Sequence, residues 1–150
     1  MKPRRYARLG VAGALAIAAV AVLITAGGQP ALGFFSRGLL LEIKVGRQAT
    51  LVARGAAVTV PVRITCNKGI FAFVSVAVTE RVGGGLVKGN ASRQVICTGD
   101  RQKVKVSVAP GSGKAFKPGT GFAQATIDGC IPGICGEETD SRAIQIVKPT

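Results

Sequence analysis

The chain has 150 residues, 47% of them hydrophobic, with 20 Lys or Arg, seven Asp or Glu and no histidine, for a formal charge of +13. That length fits one domain and leaves little room for a second. The missing histidine excludes an ordinary Ser-His-Asp triad and a general base poised near neutral pH, and leaves only the four cysteines to build a structural zinc site.

Residues 1–33 read apart from the rest. Lys2, Arg4, Arg5 and Arg8 precede an uncharged run from Leu9 to Ala26, "LGVAGALAIAAVAVLITA". A basic start, an apolar middle and small residues afterwards are the pattern of a secretory signal. Cleavage would fall within Thr25–Gly33, where Ala26/Gly28 and Ala31/Gly33 both supply the small pair. The same run also reaches the lower limit of a membrane-spanning helix, so a retained anchor is the alternative. Either way the positive charges come first, which places residues 34–150 outside the cytoplasm. The protein is therefore expected to be exported, extracellular or anchored to the outer face of the cytoplasmic membrane. Arg4, Arg5 and Tyr6 lack the rest of a twin-arginine signal, and no cysteine lies near the end of the apolar run to carry a lipid.

Beyond Ala26 the chain keeps 16 basic and seven acidic residues, a net charge of +9. Such a balance favours an acidic partner: an acidic cell-envelope polymer or an anionic membrane surface. The plainer alternative is that the lysines only solubilise the surface, and an unknown protein partner stays open. Nucleic acid is not expected. The only tyrosine, Tyr6, lies in the N-terminal segment, and there is no tryptophan on which bases could stack.

After Gly33 the pattern is short and alternating. "LEIKV" (41–45) and "TLVA" (50–53) are brief strand candidates. "AVTVPVRITC" (57–66) sets Val58, Val60, Val62, Ile64 and Cys66 on one face, the period of a half-buried strand. Pro61 lacks a backbone donor and so calls for an edge or a bulge. "FAFVSVAVTE" (71–80), "RQVIC" (93–97), "KVKVSV" (103–108), "FAQATI" (122–127) and "RAIQIV" (142–147) continue the series. Turn residues separate them at Arg54, Cys66, Val82, Thr98 and Ala109, and no window past residue 36 carries a capped helical stripe. The expected fold is all-β: an antiparallel immunoglobulin-like sandwich of seven or eight strands over 34–150, preceded by the N-terminal signal or anchor helix.

Four cysteines in a small exported domain read as two disulfides, with three pairings open. Strand placement favours Cys66 with Cys97, at two strand ends, and Cys130 with Cys135 around the tight "GCIPGICG" loop (129–136). Four residues separate the latter pair in an all-β setting, against two at a helix start in thioredoxin-type sites. A structural bridge is therefore the expectation, with a labile bridge and a metal site as lesser alternatives.

No catalytic, cofactor-binding or metal site is assigned. "GEETD" (136–140) is the one acidic cluster and is read as a solvated loop beside the disulfide rather than a calcium site. "GSGK" (111–114) lacks the Ser or Thr and the helix of a phosphate loop, and Asn90-Ala91-Ser92 is a bare glycosylation triplet.

"CTGDRQKVKVSV" (97–108) followed by "FKPGTGFAQATIDGC" (116–130) resembles small exported immunoglobulin-like domains of actinobacteria, over about residues 58–147. Gly119, Thr120 and the Cys130/Cys135 loop are also similar to the close of neocarzinostatin-type apoproteins. That resemblance implies a secreted sandwich. It does not extend to a chromophore, because Cys66 and Cys97 lie 31 positions apart and aromatic residues are few.

The expected function is a non-catalytic, exported or surface-held binding or structural module. Its candidate interaction surface comprises Arg63, Lys103 and Lys105 on outward faces and Glu137, Glu138 and Asp140 beside the disulfide loop. The alternative is a small-molecule carrier or inhibitor with a sandwich-end cleft lined by Phe71, Phe73, Phe116 and Phe122.

Overall fold

The computed structural model describes residues 38–111 and 113–149, so the expected signal or anchor at 1–33 lies outside the described residues. Eight strands follow in order: β1 (Leu41–Val45), β2 (Gln48–Val52), β3 (Ala57–Cys66), β4 (Phe71–Val82), β5 (Gly85–Ile96), β6 (Gln102–Val108), β7 (Gly119–Ile131) and β8 (Ile134–Val147). Among the described residues the only helical turn is Ala53–Gly55. Val and Ile recur at every second position, and branched side chains suit a pleated, half-buried surface. Val58, Val60, Val62 and Ile64 of β3 point into one core, with Val74, Val76 and Val78 of β4 and Ile144 and Ile146 of β8.

The strands make a β-sandwich. One layer is β1-β3-β6 and the other is β2-β8-β7-β4-β5, with β2 also pairing β3 and so joining the two. The expectation of a purely antiparallel sandwich is corrected at one place. β2 runs parallel to β8, with Gln48 to Thr50 beside Gln145 to Val147. The cause is a split first strand. β1 pairs with residues 62–66 of β3, and β2 pairs with residues 57–59 while its other edge meets β8. Gly46 and Arg47 lie between the two pairings.

The split sits opposite Pro61, which has no N–H to offer. Its carbonyl accepts the Gly46 N–H at 2.7 Å, and a Cβ on Gly46 would lie 2.7 Å from the proline ring. Only glycine fits that approach. The bulge that Pro61 demands is thus supplied by its neighbour.

Apart from the buried Cys66 and Cys97, the core is aliphatic except for Phe116, which is 1% exposed and comes from the β6–β7 connection rather than from a strand. Cys66 is bridged to Cys97 and Cys130 to Cys135. Both bridges lie at the end where β3, β5 and β7 finish, here termed the stapled end. Cys97 N–H donates to the Ile70 carbonyl at 2.9 Å, so the first bridge ties β3 to the base of the β4–β5 hairpin. The second joins directly opposed residues of β7 and β8, just inside a turn at Pro132 and Gly133. Gly133 has φ +82°, a conformation that glycine adopts without penalty.

Candidate functional site

The outer face of β1-β3-β6 carries a row of three cations in strict register. Lys44 of β1 lies opposite Arg63 of β3, and Arg63 lies opposite Lys103 of β6. Even-numbered positions of β1 and odd-numbered positions of β3 and β6 turn away from the core, so all three side chains are exposed. Lys105 stands one step along β6, opposite Pro61. Arg93 of β5 adds its charge, with Nη1 donating to the Lys105 carbonyl at 3.2 Å.

Like charges directly opposite one another oppose sheet formation. Lys44 is offset by Asp140 at 3.9 Å, but Arg63, Lys103 and Lys105 form no ion pair among the described residues. A shallow concavity of about 470 Å³ adjoins the row, where Glu42 and Glu138 meet Lys44, Arg63 and Arg101.

The six candidate surface residues do not form one surface. Arg63, Lys103 and Lys105 share the face just described. The expectation of a solvated "GEETD" loop is corrected, because Glu137, Glu138 and Asp140 all belong to β8, whose hairpin with β7 runs unbroken to Ile131 and Ile134. Glu137 is opposite Asp128 on the outer side of the other layer. Glu138, opposite the buried Ile127, borders the concavity.

Asp140 is a tie rather than a contact point. Its side chain is 16% exposed, Oδ2 accepts the Val45 N–H at 2.8 Å, and Lys44 and Arg142 stand at 3.9 and 3.7 Å. It thereby satisfies a β1 donor that the split leaves without a strand partner.

The phenylalanine-lined cleft is also corrected. Phe71, Phe73 and Phe122 are 58%, 47% and 48% exposed, while Phe116 is buried. Phe71 and Phe73 lie near the stapled end of the β4 outer face, opposite Ile96 and Gln94, and Phe122 is opposite Thr79 toward the far end. No common hollow joins them. "GSGK" lies on the β6–β7 connection, which contains no helix.

One acidic residue outside any motif has a defined role. Glu80 is 3% exposed, and its Oε2 accepts the Lys117 N–H at 2.9 Å. It continues the inward parity of Val74, Val76 and Val78, and that parity was the available signal. Among the described residues no group of three or more potential metal ligands converges.

No family model matches the chain, and no curated protein matches it. Among solved structures the chain is similar to R. palustris CsgH, at 15% identity and a TM-score of 0.40, over 67% of this chain and 90% of that one. It is also similar to AggA, the major subunit of aggregative adherence fimbriae type I from Escherichia coli, at 13% identity and 0.39, over 75% and 96%. A third is Spo0M, a sporulation control protein from Bacillus subtilis, at 14% identity and 0.32, over 72% of this chain and 49% of that one. At TM-scores below 0.5 these similarities transfer neither a ligand nor a role. The resemblance to actinobacterial immunoglobulin-like domains and to neocarzinostatin-type apoproteins gains no link from them.

Proposed function

We propose that this is a non-catalytic, exported module of immunoglobulin-like kind that binds an acidic cell-envelope polymer across the outer face of β1-β3-β6. The split first strand, divided between a three-stranded and a larger layer, supports the fold assignment. The observation that carries the function is the registered row Lys44–Arg63–Lys103. Adjacent strands are about 4.8 Å apart, so the row aligns three cations over roughly 10 Å. A linear polyanion laid across the strands would relieve the repulsion within the row and meet Lys105 and Arg93 beside it. Two disulfides suit a compartment outside the cytoplasm.

The test uses the full-length chain with polyphosphate as a linear polyanionic probe. Titrations over a salt series should show binding that weakens steeply as ionic strength rises. Replacing Arg63→Gln and Lys103→Gln together should cost about tenfold in affinity, on the scale of one to two charge-assisted contacts. Salt-insensitive binding, or an unchanged double variant, would overturn the proposal. Retention on anionic but not zwitterionic vesicles, with no polyphosphate binding, would replace the polymer by a membrane surface.

A further inference from the structure

At the far end of the sandwich, away from both disulfides, the chain forms a cleft of about 440 Å³. Its apolar lining comes from Leu51, Phe116, Pro118 and Pro149, and its charged lining from Arg54, Lys117 and Lys148. These residues belong to three segments distant in sequence: the end of β2 with its turn, the β6–β7 connection, and the tail after β8. The volume lies within the ~300–1,000 Å³ typical of small-molecule sites. Every charge in the lining is positive, and among the described residues none of the three cations forms an ion pair. The concavity on the basic face differs, since two carboxylates stand among its cations.

The backbone that presents Arg54 is unusual. Ala53 and Arg54 have φ of +46° and +57°, in the left-handed region that non-glycine residues seldom occupy. The turn is held by the Ala56 N–H on the Ala53 carbonyl at 3.2 Å, and by the Phe116 N–H on the Gly55 carbonyl at 3.0 Å. The second bond fastens the strained turn to a residue of the cleft itself. Backbone strain of this kind persists only where surrounding contacts impose it, and it concentrates at binding sites. Arg54 also borders a second hollow of about 380 Å³ lined by Ala56, Ala109, Pro110 and Lys114, which again carries no acid.

We infer that the far-end cleft binds a small amphipathic anion, an apolar chain ending in a carboxylate, with the chain against Pro118 and Pro149 over the buried Leu51 and Phe116, and the carboxylate among Arg54, Lys117 and Lys148. Apolar walls with a few convergent polar groups are the general form of such sites, and an arginine can grip a carboxylate with two parallel N–H donors. The site is separate from the basic face and does not depend on that face binding a polymer.

The experiment titrates the full-length chain with dodecanoate below its micelle concentration and follows backbone amide shifts by NMR. Saturable shifts are expected at Leu51, Arg54, Phe116, Lys117 and Lys148. Arg54→Gln with Lys148→Gln should weaken binding by about tenfold, on the scale of the charge-assisted contacts removed. Lys148→Gln alone, at an exposed position outside the strands, should weaken it less and guards against a folding defect in the turn. Arg63→Gln with Lys103→Gln should leave it unchanged. Dodecanol and acetate, which each lack one half of the ligand, should bind much more weakly. The inference is overturned if those amides do not move. It is also overturned if dodecanol or acetate matches dodecanoate, or if the basic-face variant loses as much as the cleft variant.

Discussion

At the stapled end, two disulfides join strand ends covalently, and the cysteines that make them stand out in the chain. At the far end, Phe116 fills the core from a connection, and a buried carboxylate, Glu80, holds that connection by a backbone N–H. One end is closed by bonds that persist in the unfolded chain and the other by contacts that exist only in the folded one. The apolar, cation-lined cleft lies beside Phe116.

The comparison can be broken at either end. Phe116→Ala should have the largest effect, a loss of about 3–5 kcal/mol, because it removes a buried aromatic side chain and leaves a cavity. Chemical denaturation under oxidising conditions would measure it, and a loss below about 1 kcal/mol would mean that the far end is not held by that ring. Replacing Cys66 and Cys97 by alanine should cost slightly less, about 3–4 kcal/mol, since the bridge closes a loop of some thirty residues in the unfolded chain. Replacing Cys130 and Cys135 by serine should cost least, about 2 kcal/mol, because the ring is short. In that variant, amide exchange should quicken most around Ile131–Ile134. Matching losses from the two cysteine pairs would show that loop length does not govern their contributions.

The strands with strict Val and Ile alternation were legible from the residues alone. β1 and β3 have the bounds that their patterns implied. The lower parts of β7 and β8 were not, because "DGCIPGICGEETD" is rich in glycine and charge and has little intrinsic preference for a strand. Its strand state is imposed by the partner across the hairpin. The first half of β5, with Gly85, Gly89 and Asn90, was obscured for the same reason. The parallel β2–β8 pairing leaves no local mark, since it joins residues nearly a hundred positions apart. The basic face was visible as Arg63, Lys103 and Lys105, but the register that adds Lys44 to the row requires the pairing. The far-end cleft was invisible except for Phe116, because its cations come from three unrelated segments.

The split of the first strand has a further consequence for β8. On the side away from β7, among the described residues, β8 has a strand partner only through Gln145–Val147, so Ile134–Ile144 borders no second described strand. An exposed strand border is a template on which foreign chains can add and polymerise. Along this stretch Glu138, Asp140 and Arg142 occupy positions opposite Ile127, Ala125 and Ala123, where an apolar side chain would be the rule. Charges turned toward the interior make an added strand costly to bury. Asp140, with its grip on Val45, sets one such charge on the β8 border.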